Sequence, residues 1–354
     1  MSRKARNLFL IIVAVAALAV GAAQVVFLVR HPYFRKCAAE NGISLREARR
    51  TWGRPDRDAE QILGMIYEAS RENWPAVADL AARKDLRSDI CTYYYNLANA
   101  RMGCLPDKLM DYYQPFERGL FLPVGPKSTP FKIACAGDVW FELGYMPLAE
   151  RDAMLGLLFS PAHTGPRYLR RLAETNLVSG DYEAAAKYLR ILLNDPQWRE
   201  WAEELFPDRW SPAYQQRIDE KRALLPRFDA VHGMDQTQLI LRILLGSNPN
   251  KTALDYLLCY DLLTKDLDAF VGDYDPSLTA SPLYEEAMLI FLAAKGGISA
   301  ENFAHYHISE AVFQRFNRFV TLYKQAGGSG QGLAGEFGKS YWYYFYYAVR
   351  NEKN

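Results

Sequence analysis

The chain has 354 residues, half of them apolar, with 42 Lys plus Arg set against 41 Asp plus Glu. That length and apolar content suit one extended domain or two ordinary ones and exclude a disordered chain. The near-zero net charge removes the basic footprint of a nucleic-acid binder, so no nucleic-acid partner is expected. The five cysteines (Cys37, Cys91, Cys104, Cys135 and Cys259) are scattered without paired spacing. They read mostly as small core hydrophobes, and neither a disulfide framework nor a metal site is expected.

The first predicted element is Leu8 to Val29, a run of 22 residues whose strongly polar member is Gln24. At about 1.5 Å per residue it spans about the 30 Å hydrocarbon core of a bilayer. A cleaved signal peptide competes, because Arg3, Lys4 and Arg6 form a basic start and Val20-Gly21-Ala22 offers small residues. The apolar run continues from Val25 to Val29, beyond the length of a signal core, so residues 1–30 are expected to be a retained single-pass membrane anchor. Cys37 comes after Phe34-Arg35-Lys36, which argues against a lipoprotein. Arg30, Arg35 and Lys36 balance the three basic residues before the run, and the signal-like start places the large domain on the periplasmic or extracytoplasmic side.

Residues 31–55 are expected to form a juxtamembrane linker with a short helix, and 56–326 a helical domain. Ser44-Leu45-Arg46-Glu47 is a capping-box pattern, while Ser211-Pro212 and Ser281-Pro282 resemble an N-cap followed by Pro at the first helical position. Between such marks apolar residues recur at three- and four-residue steps, and alternating strand patterns are scarce. Pro and Gly fall at breaks of roughly 12 to 18 residues, which suits paired short helices. The expected fold class is all-α.

A self-similar block points to a solenoid. In Ile133 to Pro161, Gly137, Trp140, Ala149 and Pro161 fall on the Gly, Tyr, Ala and Pro of the pattern W-x2-L-G-x2-Y…A-x3-F…P. In Leu169 to Gln197 the corresponding sites hold Leu169, Leu172, Ala173, Ala185 and Leu189, with the Pro displaced to Pro196. Gly144-Tyr145 and Gly180-Asp181 stand 36 residues apart, with a short insertion expected near His163. Over about residues 131–199 the chain therefore resembles the tetratricopeptide-repeat superfamily. Asn73-Trp74, before Val77 and Leu80, and Asn250 to Leu263 resemble the starts of second helices in an earlier and a later unit. The whole is similar to an uncharacterised family of Bacteroidetes-type membrane proteins with degenerate helical repeats.

The resemblance implies a concave groove lined by the first helix of each unit. It places Phe131, Asp138, Phe141 and Glu142 there in one unit, and Arg167, Arg170, Arg171 and Glu174 in the next. Arg167 and Arg171 occupy positions where peptide-carboxylate-binding members carry basic residues, but Asp138 departs from the asparagine such members need. A general polar groove is expected instead.

Other chemical signals are weak. Gly330-Gln331-Gly332-Leu333-Ala334-Gly335 matches GxGxxG but has too little chain after it for a dinucleotide fold, so the six glycines of 327–338 read as a flexible loop. His305 and His307 lie on different sides of any helix and lack a third ligand at a recognised spacing. Glu200, Glu203 and Glu204 beside Trp198 and Trp201 invite a glycan-hydrolase reading, yet Trp198, Trp201 and Leu205 fit the buried stripe of an amphipathic helix with the acids solvated. No cofactor, metal or catalytic residue is expected. Residues 339–354 are expected to be a capping helix in which Tyr341, Trp342, Phe345, Ala348 and Val349 face inward and the other tyrosines reach water or backbone carbonyls. The expected function is a non-catalytic membrane-anchored scaffold that binds another protein in a bacterial envelope assembly. A glycan-binding or glycan-processing role is the alternative.

Overall fold

A computed structural model describes residues 29–160, 163–228 and 236–350. Among these residues the fold is all-α, with short 3-10 turns and no strand. None of the described helices is long and apolar enough to cross a membrane, and the anchor run Leu8 to Leu28 lies outside the described residues.

The chain opens with α1 (Pro32–Glu40), α2 (Leu45–Trp52), α3 (Arg57–Ala69), α4 (Trp74–Arg83), α5 (Asp89–Arg101) and the single turn α6 (Leu105–Lys108). The central block is α7 (Pro130–Leu143), α8 (Met146–Phe159), α9 (Pro166–Ser179) and α10 (Tyr182–Leu192). There follow α11 (Arg199–Glu204), α12 (Pro212–Arg222), α13 (Thr237–Ser247), α14 (Lys251–Thr264) and α15 (Leu267–Asp273). The chain closes with α16 (Pro282–Lys295), α17 (Ala300–His305), α18 (Glu310–Gln325), α19 (Ala334–Phe337) and α20 (Tyr341–Tyr347). One apolar cluster runs from Phe34 in α1 to Tyr344 in α20.

Local signals account for many helix ends. The Ser44 hydroxyl accepts from the Glu47 amide while the Glu47 side chain accepts from the Ser44 amide, a complete capping box. Ser211 and Ser281 cap α12 and α16 ahead of Pro212 and Pro282. Gly144 and Gly180 end α7 and α9 with φ of 93° and 84°, the left-handed region where a missing Cβ removes the steric cost. The next amide in each turn reaches back to the helix: Tyr145 N to Trp140 O at 2.8 Å and Asp181 N to Asn176 O at 2.9 Å. The same turn thus recurs 36 residues on, and each two-residue connection folds a helical hairpin.

Close approach within the first hairpin depends on small residues. A Cβ on Gly137 would lie 3.0 Å from the Asp152 Cβ and 3.3 Å from the Ala149 carbonyl, so α7 and α8 nearly touch. In the second hairpin Ala173 and Ala185 are fully buried. Neighbouring hairpins meet where Gly156 of α8 faces the Tyr168 ring of α9.

Three segments differ from the sequence reading. Residues 31–55 carry two helices built into the core, with Phe34, Cys37 and Ala48 buried and Trp52 stacked on Phe131 at 5.0 Å between ring centroids. The glycine-rich stretch 327–338 contains α19 and buries Leu333 and Phe337, because two apolar side chains punctuate the glycines and find the core. The last helix ends at Tyr347, where Ala348 turns to extended backbone and leaves Val349 77% exposed.

Candidate functional site

The eight residues expected to line a groove come together, but as the interior of an ionic array. The tips of α1 and α3 and the length of α12 bring charges onto α7 and α9, so the polar faces of those helices are met by the protein itself. Asp138, Glu142, Phe141, Arg167, Arg170 and Glu174 are all buried; Phe131 and Arg171 are partly so. This departs from an open groove, and the reason is long-range charge pairing that periodicity does not report.

Asp138 is the inner node. It accepts from Arg167 Nη2 at 2.7 Å, from Arg171 Nη2 at 3.1 Å and from the Tyr94 hydroxyl at 2.7 Å. Burial works against the Arg171 cation, but Glu174 and Asp138 outweigh it and raise its pKa. Arg171 also lies over the Phe141 ring at 3.8 Å, and Arg167 over the Phe131 ring at 5.6 Å. Glu174 joins Arg171 at 3.1 Å to Arg217 of α12 at 3.8 Å. Next to this array, Glu142 takes Lys221 at 2.6 Å and Arg101 at 3.1 Å. Burial opposes ionisation of Glu142, yet those two cations hold its carboxyl below the usual range.

Glu40 is the outer node. The last residue of α1 and almost wholly buried, it faces Arg71 at 3.4 Å, Arg170 at 3.7 Å and Arg167 at 3.9 Å. Arg170 then stands in a corner formed by two indoles, 4.5 Å from the Trp198 centroid and 5.0 Å from that of Trp201, which are themselves edge-to-face. Burial pulls the Arg170 pKa down.

Arg170, Trp198 and Trp201, together with Ser70, Arg71, Glu72, Glu174 and Arg217, line a cavity of about 330 Å³. Glu72 shapes this edge. It follows α3 with φ of +55°, at a turn where Asn73 N returns to Glu68 O at 3.0 Å. Glycine is the usual residue there, and a side chain costs roughly 1 to 2 kcal/mol in this conformation. The Glu72 carboxylate meets Arg217 at 2.5 Å. A second cavity of about 490 Å³ adjoins at Arg217 and is lined by Glu204, Arg209 and Tyr214.

Sequence reasoning singled out Trp198 and Trp201 as an apolar stripe with solvated acids, and Glu200 and Glu203 are indeed exposed. It did not connect the indoles with Arg170. It also passed over Glu40, Arg71, Glu72, Arg217 and Lys221. No local signal marks these five, since each is an ordinary charged residue at or near a helix end or on a polar helix face.

Helical hairpins around a buried ionic centre, with an arginine and tryptophan cavity at its edge, define an all-α protein. Residues 4–348 match the model of DUF6057, a family of unknown function, and the chain belongs to that family. No curated protein and no solved structure matches this chain.

Proposed function

We propose that this protein is a membrane-anchored, tetratricopeptide-like helical scaffold that binds another protein in a bacterial envelope assembly. The observation that carries the reading is an apolar stripe on α8. Met154, Leu158 and Phe159 are 41%, 56% and 61% exposed, on a helix whose other side buries Ala149, Ala153 and Gly156. Single exposed apolar residues are ordinary, whereas Met154 and Leu158, at i and i+4 on one helix face, with Phe159 at the helix end beside them, suit an interface core. Ile191, 45% exposed on α10, extends the pattern to the second helix of the next hairpin. The 36-residue recurrence of the glycine turn supports the repeat reading, and the apolar run Leu8 to Val29 supports the anchor.

A photo-crosslinking residue placed at Leu158 in cells should give one reproducible protein adduct that the same residue at exposed Lys187 does not give. Identical patterns at both positions would overturn the scaffold reading. The chain should stay in the membrane pellet through an alkaline carbonate wash, and deletion of residues 1–30 should release it.

A further inference from the structure

We propose that the cavity formed by Arg170, Trp198 and Trp201, with the more exposed Arg71 and Arg217 beside them, binds a small oxyanion, a carboxylate or phosphate group. The inference is independent of the scaffold reading. It rests first on charge. Arg71, Arg167, Arg170, Arg171 and Arg217 share Glu40, Glu72, Asp138 and Glu174, so five guanidiniums meet four carboxylates. The adjoining Glu142, with Arg101 and Lys221, adds another cation in excess.

The shortfall falls on Arg170. Asp138 serves Arg167 and Arg171, and Glu72 serves Arg217, while Arg170 has a 3.7 Å share of Glu40, one 3.5 Å hydrogen bond to the Ser70 carbonyl and the field of Glu174, a carboxylate already paired with Arg171 at 3.1 Å. Its Nε–H has no partner, and neither does the indole N–H of Trp198 beside it. The two residues are 8% and 4% exposed, and the Arg170 side chain is nine-tenths buried. Of the atoms in this array without a hydrogen-bond partner, Arg167 Nη1, Arg170 Nε and Trp198 Nε1 are donors and Glu40 Oε2 is an acceptor, so donors are in excess and the missing group is an acceptor. A buried cation without full compensation is unfavourable, and an oxyanion with two coplanar oxygens matches the guanidinium fork.

The surroundings agree. The indoles hold the Arg170 guanidinium in place, which reduces the ordering needed on binding. The cavity, about 330 Å³, is the size of the smaller ligand sites. Glu72, held beside Arg217 at a backbone position that favours glycine, acts as an internal carboxylate that a ligand must share or displace.

The test is isothermal titration of the full-length chain, purified in non-ionic detergent, with inorganic phosphate and with acetate, each against chloride at matched ionic strength. Saturable heat from one or both oxyanions, absent with chloride, is expected, and the stronger of the two identifies the group. Arg170→Met should weaken binding about tenfold or more, the loss of a charge-assisted contact. Glu72→Gln should tighten it several-fold by freeing Arg217. Should Arg170→Met fail to fold, Arg71→Gln, on a half-exposed side chain, provides the weakening arm. Heat indistinguishable from chloride, or binding unchanged in Glu72→Gln and in whichever arginine variant folds, would overturn the proposal.

Discussion

Glu40 meets three guanidiniums and has one carboxylate to offer them. Removing its charge leaves Arg167 and Arg170 buried with less compensation, the situation in which breaking a buried ion pair costs about 3 to 5 kcal/mol. Glu40→Gln should therefore lower the unfolding free energy from urea titration by an amount in that range, while Lys84→Ala, which breaks an exposed pair with Asp58, should change it by about 1 kcal/mol or less. Comparable losses at both sites would mean that Glu40 is solvated. Steric contacts act at the same scale. Ala149→Trp should prevent or badly damage folding, since Ala149 is fully buried against Gly137, and Lys187→Ala on an exposed face should be tolerated.

The last helix shows how an element's surroundings revise its sequence. Placed on a helix at about 100° per residue, Trp342, Phe345, Ala348 and Val349 fall with Tyr341 on one arc and are expected inside. The structure buries Tyr341, Trp342 and Tyr344, leaves Phe345 half-buried and exposes Val349. Tyrosine is accepted because α14 ends here, where the Leu262 carbonyl takes the Lys265 amide but keeps a second lone pair free and the last carbonyls have no i+4 amide to serve. The Tyr341 and Tyr344 hydroxyls donate to Leu262 O at 2.9 Å and Leu263 O at 2.8 Å. Trp342 packs among Phe316, Phe319 and Phe337 and donates its indole N–H to Glu286 O at 2.9 Å. Trp342→Ala should cost about 3 to 5 kcal/mol. Tyr346→Ala, at a ring 46% exposed, should cost distinctly less. Chemical denaturation of the two variants decides it, and the reverse order would show that α20 does not cap the core through Trp342.

At the scale of the whole molecule, three buried acids set a pH trend. Burial pushes Asp152 up to about 6 and both Asp261 and Glu286 up to about 7. Each holds its proton more tightly folded than unfolded. Their contribution is complete below the ordinary carboxylate range and is lost as pH rises through 6 to 7. Glu142 runs the other way, because its folded pKa is depressed and its contribution is lost on acidification. Glu286 also accepts the Tyr341 amide at 2.6 Å, a bond that a glutamine oxygen can keep. Glu286→Gln should therefore be more stable relative to the natural chain at pH 8 than at pH 5, by on the order of 2 kcal/mol. Parallel stability profiles would contradict this.

Taken alone, the sequence determined the all-α class, the Ser caps of α2, α12 and α16, and the glycine turns that close two hairpins 36 residues apart. These depend on interactions a few residues long, where side-chain type and spacing decide the outcome. Small residues at Gly137, Ala149, Ala173 and Ala185 were legible for a related reason, since two helices joined by a short turn must touch somewhere along their length. The tertiary structure alone decided that the polar faces of α7 and α9 are covered. Glu40, Arg71, Glu72, Arg217 and Lys221 reach them from distant parts of the chain, with 127 positions separating Glu40 from Arg167 and 145 separating Glu72 from Arg217. A charged residue's partner at that separation is chosen by how the hairpins stack, and no periodicity records it.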